Sequence, residues 1–318
     1  MAEFDLIDRI RSRCEVARND VRLGIGDDAA ILAPPPGHDL VVCTDTLVAG
    51  VHFPLDTPAE AIGWKSLAVN LSDLAAMGAT PAWALLALTL PEADADFVDR
   101  FATGFAALAA QHHLALVGGD TTSGPLTITV TVHGFVPPGQ ALRRDGARVG
   151  DQVFVTGTLG DAAAALAARR RHVPSPQREA LDARLDRPEP RLACGAALRG
   201  LASACIDVSD GLLADLRHVA TRSGVGIEID ADALPASPAL LGAFDGDERL
   251  ALQLGGGDDY ELAFTAAPAL AGDLLRDLAR IGCGATRIGR VVDGAGVQAF
   301  DAAGTAITLA RGGWEHFA

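Results

Sequence analysis

Aspartates placed beside glycine, threonine or serine recur along the chain, and these groups carry the side chains best suited to chemistry. They occupy residues 24–28, 44–46, 70–73, 118–122, 207–211 and 255–260. Carboxylate and hydroxyl oxygens are hard ligands that favour Mg²⁺ over a soft metal, and glycine lets backbone N–H groups approach a ligand closely. One such group alone is typical of a solvated turn. Their recurrence, and the apolar runs that precede several of them, indicate a magnesium–phosphate site.

The sequence lacks the templates of several other enzyme classes. It contains no H-E-x-x-H, no G-x-S-x-G and no G-x-G-x-x-G motif. Its one lysine, Lys65, lies in Gly-Trp-Lys-Ser without the glycines of a P-loop, which excludes a P-loop nucleotidase. A Schiff-base enzyme would have to depend on Lys65 alone.

The charge balance restricts the partners. Lysine and arginine number 26 against 41 aspartates and glutamates, which gives a net charge of −15. Such a chain repels nucleic acid and anionic membranes, so we expect neither as a partner. A phosphate ligand would need a bound cation to offset the same charge.

Targeting and redox signals favour the cytoplasm. Residues 1–5 are acidic and include no apolar core, so we predict no signal peptide. The long uncharged stretch 74–91 is interrupted by Gly78 and Pro81, so we predict no membrane span. The cysteines are scattered, which favours buried thiols over disulfides or a zinc site.

Strand-like and helix-like segments alternate in two halves. A chain of 318 residues fits about two domains of ~150 residues each, and Val-Pro-Pro-Gly at 136–139 marks a break. We therefore predict an α/β (α+β) architecture with domains at residues 1–139 and 140–318. A capping box from Thr57 to Glu60 should open a helix that ends near Met77. The other predicted helices are 97–113, 161–170, 191–201, 212–223 and 269–281; the strands are 40–43, 82–90, 114–117, 126–135, 152–156, 205–208, 226–229, 261–265 and 286–292, and 173–190 is a polar, proline-containing stretch.

Three side chains near these groups each keep two interpretations. His52 is either a ligand or a loop histidine with a local partner. Arg144 and Arg148 either clamp a phosphate through their guanidinium forks or pair with Asp145 and Asp151.

In their order and spacing the motifs closely resemble the thiamine-monophosphate kinase family, part of the superfamily of aminoimidazole ribonucleotide synthetase-like ATP-binding enzymes. The resemblance runs from Phe4 to Phe317. It rests on Gly-Ile-Gly-Asp-Asp-Ala-Ala (24–30), Thr-Asp-Thr-Leu-Val-Ala-Gly-Val-His-Phe (44–53), Ala-Val-Asn-Leu-Ser-Asp-Leu-Ala-Ala-Met-Gly-Ala (68–79), Gly-Gly-Asp-Thr-Thr (118–122), Arg-Asp-Gly-Ala (144–147), Val-Thr-Gly-Thr-Leu-Gly-Asp (155–161), Asp-Val-Ser-Asp-Gly (207–211) and Gly-Trp-Glu-His-Phe (313–317).

The resemblance implies the family's two-domain fold of mixed sheets flanked by helices. Residues 1–139 would form an ATP- and Mg²⁺-binding domain that also makes a homodimer, and residues 140–318 would complete the active-site cleft. The implied reaction is phosphorylation of thiamine monophosphate to thiamine diphosphate by ATP, the final step of thiamine diphosphate synthesis. Transfer would be direct and in line, with several Mg²⁺ ions and no phosphoenzyme.

The resemblance also assigns roles to individual residues. No side chain would act as a nucleophile or general base, and Asp45, Asp73 and Asp120 would contribute to catalysis through metal. The implied Mg²⁺ ligands are Asp28, Thr44, Asp45, Asp73, Asp120, Asp207 and Asp210; the ATP contacts are Gly119, Asp120, Arg144 and Ser209; the thiamine contacts are His52, Asp258 and Trp314.

Two departures from the family pattern concern this assignment. Asp258 stands where the family commonly has glutamate, so its carboxylate is one methylene shorter; Cys43 stands where threonine or serine is common, so it receives no metal role. Trp314 would offer an aromatic face to a cationic thiazolium ring, or would instead anchor the C-terminus in the core.

Two rival functions remain open from sequence. One keeps the fold and makes the protein an ATP-dependent synthetase that forms an activated phosphate intermediate. The other is a non-catalytic sensor of divalent metal or nucleotide, which dense aspartate groups would permit. Nucleotide binding without turnover would distinguish the sensor.

Overall fold

The computed structural model of the chain describes residues 3–171, 175–309 and 312–315. Two compact units are present. Unit 1 comprises Met1–Leu74 and Ala79–Gly139, and unit 2 comprises Ala75–Gly78 and Gln140–Ala318. Within the described ranges, no helix has the length and apolar composition needed to cross a bilayer.

Unit 1 is built around a mixed sheet. Its elements are α1 (Glu3–Arg13), β1 (Val21–Leu23), β2 (Ile31–Leu32), β3 (Asp39–Val48), α2 (Ala59–Ala76, whose last two residues belong to unit 2), β4 (Thr80–Leu90), α3 (Ala95–Gln111), β5 (Ala115–Ser123) and β6 (Thr127–Val136). The strand order is β3-β6-β4-β5, with β6 antiparallel to both neighbours and β4 parallel to β5. The strands β1 and β2 form a separate antiparallel pair.

Two motifs lie inside strands, and not after them as predicted. The predicted strand 40–43 is only the start of β3, which continues through Thr44 and Asp45. Threonine fits a pleated surface, and Thr44 Oγ1 lies 2.9 Å from Thr131 Oγ1 on β6. Strand β5 similarly includes residues 118–122. These carboxylates are therefore held by a sheet ladder and not by flexible turns.

Helix α2 is close to its predicted bounds, but its predicted cap is wrong. Gly78, at φ +66°, follows the helix in the left-handed conformation typical of helix ends. The Thr57 hydroxyl is buried and makes no hydrogen bond within the described residues, so it does not cap the helix. The lone lysine, Lys65, is 1% exposed in α2.

Unit 2 contains a larger mixed sheet. Its elements are β7 (Gln152–Thr156), α4 (Asp161–Arg171), α5 (Ser175–Asp186), α6 (Leu192–Leu198), β8 (Ala204–Asp207), α7 (Leu212–Ser223), β9 (Gly226–Asp230), a 3₁₀ turn (Ala231–Ala233), α8 (Pro238–Ala243), α9 (Gly246–Gly255), β10 (Leu262–Ala266), α10 (Pro268–Arg280), β11 (Ala285–Val292), β12 (Gly296–Phe300) and β13 (Ala306–Ile307). The strand order is β13-β12-β9-β11-β7-β10-β8, and β12–β9 is the parallel pair. Apolar side chains of β7, β8, α7 and β9 pack together in its core.

The polar, proline-containing stretch, to which the sequence assigned no element, contains helix α5. Its polar sequence hides the helix, because only Leu181 and Leu185, one turn apart, are fully buried apolar residues. Arg169 of α4 binds Asp182 at 2.8 Å and Asp186 at 2.9 Å. Contacts with α4 thus supply the stability that the local sequence does not signal.

The cysteine prediction is wrong for one pair. Cys194 of α6 and Cys283, between α10 and β11, form a disulfide across 89 residues. Cys14, Cys43 and Cys205 are not disulfide-bonded; Cys14 and Cys205 are buried, as predicted, whereas Cys43 is half-buried. No motif spacing marks so distant a pair, because the fold alone brings the two residues together.

In unit 2, the buried carboxylate of Glu261 binds two arginines. Arg191 donates to both of its oxygens at 2.7 and 2.6 Å, and Arg184 donates to Oε1 at 2.7 Å. Thr156 Oγ1 donates to Oε2 at 2.7 Å. Gly157, at φ +55°, packs against this carboxylate, where an added Cβ would lie 2.2 Å from Oε1. Both oxygens of this buried carboxylate therefore accept hydrogen bonds, and two arginines balance its charge.

The ionisation of Glu261 is controlled by its partners. Burial raises the pKa of this carboxyl, but the hydrogen bonds and charge of Arg191, with the charge of Arg184, outweigh it and hold the pKa below its usual value. A depressed pKa stabilises the fold at pH values above the ordinary glutamate pKa. That stabilisation is lost as pH falls through the folded-state pKa.

The charge of Glu261 should be essential to the stability of unit 2. Glu261→Gln would remove the buried counter-charge that two partly buried guanidinium groups share and leave them only the longer contacts to Asp161 and Glu189, so we expect a loss of about 3 kcal/mol in unfolding free energy. Urea unfolding followed by circular dichroism at pH 7 measures this. Glu228→Gln is the control, because Glu228 pairs with Arg290 at the surface and should cost at most about 1 kcal/mol. Equal losses in the two variants would contradict the prediction.

The disulfide should stabilise the oxidised protein. Closing a long loop restricts the unfolded chain, and we expect about 2–4 kcal/mol from this effect. Dithiothreitol should therefore lower the urea midpoint of the wild type. It should have no effect on the double variant Cys194→Ala/Cys283→Ala. A wild-type midpoint that is unchanged by the reductant would refute the contribution.

Candidate active site

In unit 1, Asp45 and Asp73 are placed by one asparagine. Asn70 Oδ1 accepts the backbone N–H of Asp45 at 3.0 Å, and its carbonyl accepts the Cys43 thiol at 3.4 Å. Asp73 follows Asn70 by three residues and therefore lies on the same side of α2. It is half-buried, as is Asp45. The contact of β3 with α2 thus brings these two carboxylates to one neighbourhood.

Thr44 and Asp120 lie on a different surface, the open face of the sheet. Along a strand, side chains alternate between faces, so Thr44 points opposite to Asp45. The register pairs Thr46 with Thr129, Thr129 with Ala87, and Ala87 with Asp120. Asp120 therefore shares the open face with Thr44, but the edge strands β3 and β5 are three strand spacings apart, or ~14 Å. Unit 1 alone does not bring Asp120 to Asp45.

Gly119 has a structural requirement of its own. Its φ is +150°, and a Cβ at this position would lie 1.8 Å from the Leu86 carbonyl oxygen of β4. The close approach of β4 and β5 therefore demands glycine here, whether or not a ligand approaches the same backbone.

Asp28 and His52 lie in turns. Asp28 is exposed, and its N–H donates to Asp27 Oδ1 at 2.9 Å. His52 Nδ1 accepts the Val48 N–H at 2.9 Å, which fixes the ring and places the proton of neutral histidine on Nε2. The local partner expected for a loop histidine is therefore present at Nδ1.

In unit 2, the loop after β8 is folded around a carboxylate that the sequence motifs did not identify. The N–H groups of Ser209, Asp210 and Gly211 donate to Asp215 Oδ2 at 3.0, 3.1 and 3.2 Å. A helix N-terminus normally offers such groups to an anion. Here the protein's own Asp215, in the first turn of α7, takes that place. The sequence signal was an acidic residue in the first turn of the helix that follows the Asp-Val-Ser-Asp-Gly motif.

Three carboxylates are close in this loop. The pKa of Asp215 is raised to about 8, chiefly by burial and also by the negative charges of Asp207 and Asp210, and the backbone hydrogen bonds only partly oppose this rise. Asp207 is 4% exposed at the end of β8, and Asp210 is half-buried. Since the backbone donors are occupied, this loop offers its side chains to a ligand.

The loop 257–260 extends the pairing of β10 with β8. The N–H groups of Asp258 and Tyr260 donate to the carbonyls of Ser209 and Val208, each at 2.8 Å. Asp259 between them turns the other way, where Gly160 N–H donates to its carboxylate at 2.8 and 3.0 Å. Burial raises the pKa of Asp259 well above its usual value. Asp258 is thus held beside Ser209, while Asp259 anchors the loop from within.

Trp314 joins the same neighbourhood. Its backbone N–H donates to the Asp210 carbonyl at 2.9 Å, and its side chain is 50% exposed. A core anchor would be buried, so the anchor interpretation is wrong. His316 and Phe317 of the terminal motif lie outside the described residues. Unit 2 therefore brings together four of the predicted residues, Ser209, Asp210, Asp258 and Trp314.

Arg144 is exposed beside the edge of β8. The preceding residue, Arg143, accepts the Cys205 N–H through its carbonyl and binds Asp145 with its guanidinium at 2.9 Å and closer. Asp145 therefore pairs with Arg143. The interpretation that paired it with Arg144 is wrong. The Arg144 carbonyl accepts the Ser223 hydroxyl at 3.0 Å, which fixes the backbone and directs an exposed side chain outward. Arg148 is also exposed, and its N–H donates to Asp151 at 3.0 Å.

Known proteins match both units. Residues 26–136 match the family described as AIR synthase related protein, N-terminal domain, and residues 148–302 match its C-terminal domain. The thiamine-monophosphate kinase of Salmonella typhimurium is 46% identical over 320 residues, which cover 99% of this chain and 98% of the relative.

Solved structures give the same result. The crystal structure of thiamine-monophosphate kinase from Stenotrophomonas maltophilia K279a is 53% identical with a TM-score of 0.89, covering 96% of this chain and 98% of that one. The structure of AaThiL complexed with AMPPCP and TMP is 36% identical with a TM-score of 0.79, covering 99% of this chain and 97% of that one. The resemblance and the fold class predicted from the motifs are thereby confirmed, and the chain belongs to the thiamine-monophosphate kinase family of AIR synthase related proteins.

Proposed function

We propose that the protein transfers the γ-phosphoryl group of ATP to thiamine monophosphate, giving thiamine diphosphate and ADP. The full-length similarity to thiamine-monophosphate kinases supports this, as does the related AaThiL bound to AMPPCP, an ATP analogue, and TMP. In the structure, the observation that carries it is the convergence in unit 2 of Ser209, Asp210, Asp258 and Trp314 through backbone hydrogen bonds.

The donor chemistry of the site fits Mg²⁺. Asp207 and Asp210 lie close enough to Asp215 to raise its pKa, a repulsion that a divalent cation would relieve. Mg²⁺ is usually bound by one or two carboxylates together with substrate phosphates. Among the described residues, no group of three or more His, Cys, Asp or Glu side chains is arranged so that it could hold a metal ion by itself. The proposed ligands are Asp28, Thr44, Asp45, Asp73 and Asp120 in unit 1, and Asp207 and Asp210 in unit 2.

The acceptor needs no general base. A phosphate monoester has a second pKa near 6 and is largely ionised at neutral pH. The difficulty is to bring two anions together, and bound Mg²⁺ would neutralise and align their oxygens. The protein's own task is to position the groups for direct in-line transfer without a phosphoenzyme.

The proposed substrate contacts follow from exposure and charge. Arg144 offers an exposed guanidinium to the nucleotide, and the half-buried Ser209 offers its hydroxyl. In unit 1, the proposed nucleotide contacts are Gly119 and Asp120, which are both exposed. The exposed indole of Trp314 suits a cationic thiazolium ring. The Asp258 carboxylate and the neutral imidazole of His52 complete the thiamine contacts.

We also propose that the open sheet face of unit 1 pairs with a second copy of the chain. Leu40, Val42 and Leu85 lie on this face and are 49%, 52% and 37% exposed. Apolar side chains grouped on one sheet face typically mark a protein interface. A symmetric dimer would cover the face with its own equivalent.

The activity is tested by a coupled assay with ATP, Mg²⁺ and thiamine monophosphate. One-to-one, Mg²⁺-dependent formation of ADP and thiamine diphosphate is expected, with EDTA and free thiamine as controls. Asp45→Ala should lower kcat at least about 100-fold, since even outer-sphere changes at metal sites cost 10–100-fold. The variant should fold, because Asn70 binds the backbone of residue 45. The control is Asp96→Ala, which changes an exposed aspartate of α3 and should retain full activity. Normal turnover by Asp45→Ala would contradict the proposed metal role of Asp45.

The dimer is tested by light scattering. Val42→Asp places a charge on the apolar face and should shift the protein towards monomer at micromolar concentration. Leu241→Asp in α8 has the same 52% exposure at the wild-type side chain and should leave the mass unchanged. A monomeric wild type, or a fully dimeric Val42→Asp, would be evidence against this interface.

A further inference from the structure

The loop 257–260 contains a contact to which no role has been assigned. Tyr260 Oη donates a hydrogen bond to Asp258 Oδ1 at 2.9 Å. Tyr260 is 8% exposed and is the only tyrosine in the chain. Its ring is therefore held in place, and the phenol fixes one oxygen of a carboxylate that reaches the surface.

The backbone of this loop is strained to make the contact. Asp258 and Tyr260 have φ values of +69° and +50°, in the left-handed region that side chains rarely adopt. Such residues persist only where the surrounding structure over-determines them, and they cluster at functional sites. Here the two N–H bonds to Ser209 and Val208 and the Asp259 anchor supply that constraint.

This backbone conformation brings the side chains of Asp258 and Tyr260, which are two residues apart, next to each other. Asp259 points to the Gly160 N–H, whereas Asp258 and Tyr260 meet through their polar ends. Aspartate tolerates left-handed φ better than most residues. The hydrogen bond from Tyr260 therefore sets the orientation of the Asp258 carboxylate.

We propose that Tyr260 is a positioning residue that orients the Asp258 carboxylate towards the cationic thiamine half of the substrate. This rests on the proposed function. Without the phenol, the carboxylate could rotate among conformers and would bind the substrate less well, while the nucleotide would bind as before.

A double-mutant cycle tests the proposal. The wild type, Tyr260→Phe, Asp258→Asn and the double variant are compared for kcat and for KM of both substrates. Tyr260→Phe should raise KM for thiamine monophosphate about tenfold, as expected for one hydrogen bond to a charged group, with KM for ATP unchanged. The double variant should match Asp258→Asn. Asp247→Asn, an exposed aspartate of α9, is the matched control and should behave as wild type.

A spectroscopic readout separates positioning from a merely structural role. Because Tyr260 is the sole tyrosine, protein labelled with 3-fluorotyrosine gives one ¹⁹F resonance. Thiamine monophosphate alone should shift this resonance in the wild type, and Asp258→Asn should abolish the shift. This binding measurement needs neither ATP nor turnover.

The outcomes are distinct. Unchanged KM in Tyr260→Phe, additive effects in the cycle, or equal increases in both KM values with a lowered melting temperature would overturn the positioning role. Failure of the wild type to form thiamine diphosphate would overturn the proposed function, and this role with it. An intact reaction with no ¹⁹F response to thiamine monophosphate would refute only the role of Tyr260.

Discussion

The interaction on which unit 2 depends is the pairing of the Glu261 carboxylate with two arginines. A lone charge in this interior would be costly, but Arg191, which directly precedes α6, and Arg184 of α5 bind it, and Thr156 of β7 donates to it. Glu261 directly follows the loop that carries Asp258 and Tyr260. Fixing its carboxylate therefore also fixes where that loop ends, and Asp259 fixes its middle through Gly160. The exposed part of the site is defined by groups that are themselves buried.

Unit 1 uses a different device. Its carboxylates are placed by secondary structure, with Asp45 on an edge strand and Asp73 on a helix, and the amide of Asn70 joins the two elements. Threonine hydroxyls line part of the open face, where Thr44 donates to the Val130 carbonyl and lies beside Thr131. A sheet ladder fixes the backbone on which the side chains of β3 stand.

The sequence predicted the fold class, most elements near the motifs, and the family. It succeeded where the signal was local, as in α2 and α7. It failed where distant contacts decide: α5 depends on Arg169, and Cys194 meets Cys283 only in the folded chain. The motif residues could be recognised from sequence because aspartates beside glycine, threonine or serine recur along the chain. Asp215, Tyr260 and Glu261 were not singled out, because each acts through a partner that only the fold supplies.

The contacts of Glu261 also bear on the order of folding. Its partners Thr156, Arg184 and Arg191 lie 105, 77 and 70 residues earlier in the chain. Contacts of such long sequence separation form late, because the entropy of closing the intervening loops must be overcome first. The loop that bears Asp258 therefore acquires its shape only after α5, α6 and β7 have assembled around β10. A partly folded chain cannot present the proposed thiamine contact at Asp258 in its final shape, so the formation of this loop coincides with the completion of unit 2.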